Sequence, residues 1–357
     1  FHSFGRHSER SLKRINHILD SGLNMVIVWI DKRVHPLTVG CANYIKSFSN
    51  LATKYVSTFK LFELFPDEQT AREYLESRLW PDGAKCPQCK SGDRITRRTG
   101  GFYRCNACQF DFTIRTGTIF ERSHVPLHKW VYAMYLLVTA RKGISSMQLA
   151  KEIGVTQKTA WFMLSRLREA CSDPDSQDKL KGVIEIDECF IGGKEANKHE
   201  RKKLHAGRGP VGKVAVLGMR ECDGRTIAKP VMDRTLNAIQ DEIHGKVEAG
   251  SQLYTDDHAV FADLDGLFYQ HESVNHSAGE YARGPASTNS IESVWAVLKR
   301  GLHGVYHHAS AKHLFRYVDE FTFRLNEGNV ERHTLERLDF FVDGVSGKRL
   351  TCARLIA

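Results

Sequence analysis

The sequence predicts an α/β fold for the C-terminal half of the chain, because strand-like and helix-like stretches alternate there. The stretch at 182–193 reads GVIEIDECFIGG, and its apolar β-branched residues predict a buried strand that ends near Asp187. The other predicted elements are strands at 211–222, 225–232 and 251–254 and helices at 236–247 and 289–300. A carboxylate at the end of a buried strand is costly unless something compensates its charge, and a divalent cation is the usual partner.

Length, composition and charge are those of a globular chain with a polyanionic partner. The 357 residues leave room for two or three domains. No apolar run near the N-terminus is long enough to span a bilayer, and no signal peptide is evident, so we expect a cytoplasmic protein without a membrane partner. The formal net charge is +9, and residues 85–170 carry 15 Lys and Arg against 5 Asp and Glu. This concentration of positive charge predicts contact with nucleic acid.

Two CxxC pairs predict a metal site. Cys86 and Cys89 form the first pair, Cys105 and Cys108 the second, and the stretch between them fits a hairpin that turns at 100–101. Four thiolates around one Zn²⁺ form a closed structural site, whereas a redox CxxC needs a βαβ context that is missing. Basic residues with interleaved aromatic residues surround this site and are predicted to contact DNA. They are Arg97, Arg98 and Arg104.

A helix-turn-helix pattern follows. The stretch at 145–168 reads SSMQLAKEIGVTQKTAWFMLSRLR, where Gly154 permits a turn and Thr156 can cap the second helix. In this motif the first residues of the second helix face the DNA bases. The predicted base-reading residues are Gln157, Lys158 and Thr159. The alternative is a plain helical hairpin, which the positive charge of the region disfavours.

Three carboxylates in the C-terminal half share a pattern. Asp187 and Asp256 lie at predicted strand ends, and Glu292 lies on a predicted helix. On that helix an apolar stripe leaves Glu292 and Lys299 on one flank, since a separation of seven residues brings side chains back to within roughly 20°. Asn289 lies further round the same helix. One helix can therefore bury its stripe and direct these polar groups to a common site.

Together, the motifs resemble those of DDE transposases, and the CxxC pairs and helix-turn-helix in front narrow the resemblance to the ISXO-like insertion-sequence transposases. The motifs are IDECFIGGK, YTDDHAVF, TNSIESVWAVLKRGLHGVYHH and RYVDEFTFRLN, within residues 62–343. The resemblance implies a ribonuclease-H-like core, a mixed sheet with flanking helices, preceded by a zinc ribbon and a helical helix-turn-helix domain.

The resemblance also implies a catalytic metal site. Two Mg²⁺ or Mn²⁺ ions would be held by Asp187, Asp256 and Glu292, and Lys299 would hold a phosphate. Two cations about 4 Å apart can activate the attacking hydroxyl and stabilise the leaving oxygen. Asn289 is the alternative third ligand, because some members of the group have Asn there. We favour Glu292, since an anion offsets the charge of Mg²⁺ better than an amide does.

The function expected is that of a DNA transposase that binds the ends of an insertion sequence and catalyses metal-dependent strand cleavage and strand transfer. The expected partners are double-stranded DNA, as inverted-repeat ends and as target, and further copies of the chain on that DNA, which would associate the protein with the nucleoid. The alternative is a DNA-binding regulator derived from a transposase with a silent core. An RNA-directed ribonuclease would suit the core but not the helix-turn-helix.

The expected organisation follows the chain. It comprises a poorly ordered or weakly helical extension at 1–60, a short helix and zinc ribbon at 61–118, the helix-turn-helix domain at 119–171, a linker at 172–181, the catalytic domain at 182–345 and a tail at 346–357.

Overall fold

The computed structural model describes residues 54–172, 178–193, 195–204, 210–222, 224–258, 261, 264, 269–274, 282–283 and 286–357. Most of the predicted N-terminal extension and the middle of the predicted linker lie outside these residues. Thr53–Ala357 forms one compact unit. The predicted modules therefore pack against one another, and their exact boundaries remain predictions.

The secondary structure alternates as the sequence predicts. The helices are α1 (Thr58–Leu64), α2 (Glu68–Leu79), α3 (Leu127–Thr139), α4 (Ser146–Ile153), α5 (Gln157–Cys171), α6 (Leu236–Lys246), α7 (Asn289–Gly301), α8 (Leu314–Asn326), α9 (Thr334–Asp343) and α10 (Cys352–Ile356). The strands are β1 (Ile95–Arg97), β2 (Phe102–Cys105), β3 (Asp111–Thr113), β4 (Val183–Ile191), β5 (Val214–Glu221), β6 (Thr226–Val231), β7 (Gln252–Asp256), β8 (Gln270–Val274), β9 (Ala282–Arg283) and β10 (Ala286–Ser287).

The cysteine-containing region folds around a small antiparallel sheet. β1, β2 and β3 are joined in that order, and the chain turns between β1 and β2 at Thr99–Gly101, as predicted. Trp80, directly after α2, packs edge-on against both Tyr103 and Phe112, whose rings are stacked. Aromatic pairs of this kind contribute beyond the area they bury, which is how so small a sheet obtains a core.

The predicted helix-turn-helix is present as α4 and α5. Gly154 ends α4 in the left-handed conformation with φ of 65°, where a side chain would be strained. The Thr156 side chain then accepts a hydrogen bond from the backbone N–H of Thr159 and starts α5. Both local features read from the sequence are confirmed.

The larger sheet has the strand order β6-β5-β4-β7-β8. β4 pairs antiparallel with β5 and parallel with β7, β5 pairs antiparallel with β6, and β7 pairs parallel with β8. The result is a mixed sheet with β4 at its centre. Because helices pack on both faces of it, the predicted fold class is confirmed.

Successive side chains of the central strands point to opposite faces of the sheet, and different helices cover those two faces. Ile184 and Ile186 of β4 pack with Ile239 and Ile243 of α6 in one buried cluster. Cys189 of β4 packs on the opposite face. Its partners in that second cluster are Val216 of β5, Ile291, Val294, Trp295 and Leu298 of α7, and Val318 and Phe321 of α8. Side chains two residues apart share a face of a strand, so Glu185 and Asp187 lie on the face that α7 covers.

A buried carboxylate joins the helix-turn-helix to the C-terminal helices. Glu320 of α8 is fully buried, and its Oε2 accepts a hydrogen bond of 2.6 Å from Nε of Arg168 in α5. Its Oε1 accepts hydrogen bonds from the Tyr306 hydroxyl, at 2.7 Å, and from Arg324. Arg324 also donates to the backbone carbonyl of Leu137 in α3, at 3.0 Å. We call Glu320, Arg168, Arg324 and Tyr306 the Glu320 cluster.

The C-terminal residues pack against the rest of the chain and do not form an extended tail. Leu350 and Leu355 are buried, and Thr351 caps the short helix α10. The preceding helix α9 packs against α3, with Arg337 donating to the carbonyl of Val138 at 2.9 Å. Among the described residues, no helix has both the length and the hydropathy that a bilayer crossing needs.

The Glu320 cluster gives a prediction about stability. Arg168→Leu should lower the free energy of unfolding by roughly 3 kcal/mol, because removing one partner of a buried ion pair leaves a buried charge less compensated. Urea unfolding of the zinc-loaded chain measures this. Lys60→Ala is the matched control, since Lys60 pairs with Glu63 at an exposed site and should cost less than about 0.5 kcal/mol. Equal losses in the two variants would contradict the role given to the buried pair.

Candidate active site and zinc site

The four cysteines of the CxxC pairs meet at one point. Their sulfur atoms all lie within 4.8 Å of one another, with Cys86 and Cys108 3.6 Å apart and Cys89 and Cys105 3.5 Å apart. Sulfur atoms tetrahedrally bound to one Zn²⁺ lie roughly 3.8 Å apart, so the arrangement fits that ion. The backbone N–H of Cys108 lowers the pKa of the Cys105 thiol to about 7, whereas burial raises the pKa of the Cys108 thiol to about 12, so the cluster favours a thiolate at Cys105 first. The cluster supports a structural zinc site.

The arginines predicted to contact DNA here are engaged with carboxylates. Arg98 and Arg104 both pair with Asp111, at 3.5 and 2.9 Å, and Arg97 pairs with Glu76 at 3.7 Å. Arg97 and Arg98 keep more than half of their side-chain surface exposed, whereas Arg104 is mostly covered. A phosphate would have to replace these carboxylates, so DNA contact by the three arginines stays a prediction.

Helix α5 is divided into an exposed start and a buried end. Gln157 and Lys158 are exposed and Thr159 is half-buried, whereas the last two turns pack among α8 and the C-terminal residues. The Gln157 amide donates to the Ser146 hydroxyl of α4 at 2.9 Å. The predicted base-reading residues are therefore presented at the surface by a helix whose other end is held in the protein.

Asp187 and Asp256 lie side by side on neighbouring parallel strands. Glu185 of β4 is paired in register with Tyr254 of β7, and each aspartate follows two residues later. Residues at matching positions of a parallel ladder point to the same face, and adjacent strands lie about 4.8 Å apart. Asp256 is the last residue of β7, and its Oδ1 accepts from the backbone N–H of His258 at 3.2 Å. Both carboxylates therefore face the side of the sheet that α7 covers. The prediction that the strand ends near Asp187 is wrong, because β4 continues to Ile191 through its pairing with β5.

Helix α7 has the two-sided character that its sequence predicts. Ile291, Val294, Trp295 and Leu298 are buried against the sheet. Asn289, Glu292 and Lys299 are exposed. Burial raises the pKa of the Cys189 thiol to about 12, and the charge of Lys299 acts in the opposite direction. The Lys299 ammonium therefore lies near the face of β4 that carries Asp187.

The environment of Asp187 shows that the carboxylates act on one another. Burial raises the pKa of Asp187 to about 6, and the nearby charges of Asp256 and Glu292 contribute to the rise. Two hydrogen bonds oppose it, since the backbone N–H of Glu188 donates to Oδ1 at 2.7 Å and the Trp295 indole donates to Oδ2 at 2.9 Å. A positive charge among these groups would relieve both the burial and the repulsion.

The carboxylates are more widely spaced than the cysteines. In the described ranges, no three carboxylates have ligand oxygens that all lie within 4.8 Å of one another, as the cysteine sulfurs do. Two cations shared among three carboxylates do not require that spacing, because each ligand can bind one ion or bridge both. Hard oxygen donors with mutual repulsion fit Mg²⁺ or Mn²⁺, so the donor set is compatible with the predicted ions.

The sequence-based prediction missed two residues that seat α7 on the sheet. Oε2 of Glu185, which is buried, accepts from the backbone N–H of Ile291 in the first turn of α7, at 2.9 Å. Arg220, opposite Glu185 on β5, donates to the carbonyl of Ser290 at 3.1 Å. A glutamate within the apolar run VIEI was the available signal, since a charged residue on a buried strand needs a partner.

Zinc binding is the first prediction from this site. The wild-type protein should carry one equivalent of zinc, and Cys89→Ser should lose it together with the ordered ribbon, because a structural zinc supplies folding free energy. Elemental analysis of protein purified without chelator measures the metal. Cys352→Ser is the control, since this exposed cysteine lies outside the cluster. Zinc below half an equivalent in the wild-type protein would contradict the assignment.

The second prediction concerns the pH dependence of stability. Because the folded pKa of Asp187, about 6, lies above its ordinary value of 3.8, ionising Asp187 costs stability as the pH rises through 6. The free energy of unfolding of Asp187→Asn relative to the wild type should therefore be about 1–3 kcal/mol higher at pH 8 than at pH 4, in buffer without Mg²⁺ or Mn²⁺. The hydrogen bond that the amide NH₂ cannot accept costs stability at both pH values and cancels in this difference. Urea unfolding at both pH values tests this, and a gain that does not change with pH would count against a buried, repelled carboxylate.

Two known domain families match separate parts of the chain. A family described as the ISXO2-like transposase domain matches residues 179–326, and the transposase zinc-ribbon domain matches residues 66–110. The first match spans Asp187, Asp256 and Glu292, and the second spans the four cysteines.

One relative covers most of the chain. A protein described as "Uncharacterized protein in transposable element ISH50", from Halobacterium salinarum, is 30% identical over an alignment of 276 residues. The match covers 73% of this chain and 91% of the relative. The solved structure described as a pre-cleavage Mos1 transpososome is 11% identical, with a TM-score of 0.22, over 60% of this chain and 79% of that one. That likeness is too distant to support an argument. The two domain matches and the long relative carry the conclusion that the chain belongs to the family of ISXO2-like insertion-sequence transposases.

Proposed function

We propose that this chain is an active DDE-type transposase, which cleaves DNA at the ends of an insertion sequence and joins those ends to a target. The observation that supports the proposal is that Asp187, within β4, and Asp256, at the end of β7, follow the same register pair on adjacent parallel strands, on the face covered by the helix that bears Glu292. The mutual effect of these charges on the pKa of Asp187 supports their proximity.

The proposed chemistry is an in-line displacement at phosphorus. In cleavage, a water oxygen attacks the phosphorus, the bond from phosphorus to the 3′ oxygen breaks, the water proton passes to solvent, and the leaving oxygen takes a proton to become a 3′-hydroxyl. In strand transfer, that 3′-hydroxyl attacks a phosphodiester of the target in the same way. Divalent cations, when bound, supply charge stabilisation at the attacking and leaving oxygens.

The side chains have separate tasks in this scheme. Asp187, Asp256 and Glu292 would hold the cations, with Asn289 as the alternative to Glu292. Asp187 is held by donors to both of its oxygens, so it needs little rearrangement to bind. Lys299 is exposed on the same helix as Glu292, where its ammonium can contact a DNA phosphate and orient the strand.

Recognition of the ends is proposed for the helix-turn-helix. The exposed start of α5 carries Gln157, Lys158 and Thr159, and the second helix of such motifs enters the major groove. Its buried end is fixed to α8 through Arg168 and Glu320, so DNA bound at α5 would be held at a set position relative to the sheet. Further copies of the chain would bring two ends together.

The decisive experiment measures cleavage and binding of end DNA by the same variants. Asp187→Asn, Asp256→Asn and Glu292→Gln should each lower Mn²⁺-dependent cleavage by at least about 10³-fold, because loss of a metal ligand removes transition-state stabilisation. Each should still bind end DNA within about twofold of the wild-type affinity. Asn289→Ala changes an exposed residue further round the same helix and should lose less than tenfold.

Lys158→Ala tests the opposite separation, a loss of DNA binding without a loss of cleavage. It should weaken binding and reduce the salt dependence of affinity, since one phosphate contact is lost, while the cleavage rate at saturating DNA stays near that of the wild type.

If Glu292→Gln cleaves normally and Asn289→Ala does not, the third ligand is Asn289. Specific binding by the wild-type protein without any cleavage in Mn²⁺ would instead support the DNA-binding regulator.

A further inference from the structure

Besides the contact of Arg220 with Ser290, two N–H groups of helix α7, one on each side of Glu292, donate hydrogen bonds to β4. In its first turn the Ile291 N–H donates to buried Glu185, at 2.9 Å. One turn later the Trp295 indole N–H donates to Oδ2 of Asp187, also at 2.9 Å. Since both acceptors belong to β4 and stand two residues apart, the helix that carries Glu292 is tied directly to the strand that carries Asp187.

A glycine in β5, Gly218, leaves space for the Trp295 indole. Gly218 is the residue directly opposite Asp187 in the ladder between β4 and β5. A Cβ at position 218 would lie 2.3 and 2.4 Å from ring atoms of Trp295, distances that no packed structure allows. Trp295 is only 4% exposed. The indole therefore occupies the space beside Asp187 only because position 218 has no side chain.

The two hydrogen bonds on Asp187 come from different elements. The Glu188 N–H that donates to Oδ1, at 2.7 Å, belongs to β4 itself, whereas the indole that donates to Oδ2 belongs to α7. With one donor on each oxygen, the carboxylate plane cannot rotate without losing a bond. Its orientation is therefore set jointly by the strand and by the position of α7.

We propose that Trp295 is a positioning residue for the metal-binding carboxylates. Its indole N–H fixes the plane of Asp187 relative to α7, and hence relative to Glu292, so that the ligands are arranged before a cation arrives. This inference rests on the proposed function. A tryptophan that only filled the core would contribute packing and would leave metal affinity unchanged, whereas loss of a hydrogen bond to a metal ligand commonly weakens metal binding about 10- to 100-fold.

The test compares two buried tryptophans. Trp295→Phe keeps an aromatic ring and removes the donor to Asp187. Trp130→Phe is the matched control, because Trp130 in α3 is equally buried and its indole donates to the Ser123 hydroxyl at 3.2 Å, outside the proposed active site. Mn²⁺ affinity is measured by titration calorimetry on zinc-loaded protein without DNA. The Mg²⁺ concentration that gives half-maximal cleavage provides a second readout.

We expect Trp295→Phe to weaken Mn²⁺ binding about 10- to 100-fold and to raise the half-saturating Mg²⁺ concentration to match. Trp130→Phe should leave both values within twofold of the wild type. A protein with 3-benzothienylalanine at position 295 guards against misfolding, since this analogue keeps the shape of tryptophan and replaces its N–H with sulfur. It should bind Mn²⁺ as weakly as the phenylalanine variant.

The outcomes separate the two proposals. If the wild-type protein binds Mn²⁺, Asp187→Asn loses that binding, and the benzothienylalanine protein binds within twofold of the wild type, the positioning role is overturned and the proposed function stands. If the wild-type protein shows no Mn²⁺ binding that depends on Asp187 and no cleavage, the proposed function fails, and the positioning role fails with it. Weak binding in both position-295 variants with normal binding in Trp130→Phe supports the role.

Discussion

The arrangement of the described chain depends on the compensation of one buried carboxylate. Glu320 has no exposed surface, yet it lies where the helix-turn-helix, the segment after α7 and helix α8 come together. Taking a carboxylate out of water costs several kcal/mol unless its oxygens are fully hydrogen-bonded. Arg168, Arg324 and the Tyr306 hydroxyl provide these hydrogen bonds. Arg168 belongs to α5, Tyr306 follows α7, and Arg324 of α8 also donates to the Leu137 carbonyl of α3. The contacts therefore fix the relative placement of those parts more than they add to stability.

That constraint fixes the helix-turn-helix and the sheet relative to each other. Arg168 also lies over the ring of Tyr317, with its guanidinium carbon 4.1 Å from the ring centre, so its position is set by stacking as well as by charge. Helix α5 begins at the surface and ends in this cluster. The first turn of helix α7 is hydrogen-bonded to Glu185 of β4. A π-helical turn at Leu302–Tyr306 follows α7, and its last residue, Tyr306, belongs to the same cluster. The C-terminal end of α5 therefore contacts Glu320 through Arg168, and the segment that follows α7 contacts it through Tyr306.

Local signals predicted the parts of this structure that depend on local contacts. The two CxxC pairs, Gly154 at its turn, Thr156 at its cap and the apolar stripe of α7 were all readable, because spacing along the chain determines them. Asp187 and Asp256 were readable as polar residues that follow apolar strand-like runs, although β4 continues past Asp187 to Ile191. The family resemblance then joined them to Glu292, which periodicity alone could not do.

The features that were missed depend on partners far away in the sequence. Glu185 looks like an anomaly in a strand until its partner appears 106 residues later. Trp295 fits the apolar stripe of α7, and nothing in the stripe marks its N–H as a donor to a carboxylate 108 residues away. Arg168 and Glu320 are separated by 152 residues, and no local pattern pairs them. Leu350 and Leu355, in the expected tail at 346–357, are buried, which depends on packing partners outside that segment.

Because Gly218 and Trp295 approach each other closely, the residue allowed at position 218 depends on the residue at position 295. A side chain at position 218 would collide with the indole, so a change there would be tolerated only after position 295 had become smaller. A smaller residue at 295 would leave Asp187 without its indole donor, and a new donor would have to arise elsewhere. Among relatives that keep this sheet, glycine opposite the strand aspartate and tryptophan three residues after the helix glutamate should therefore be retained or lost together.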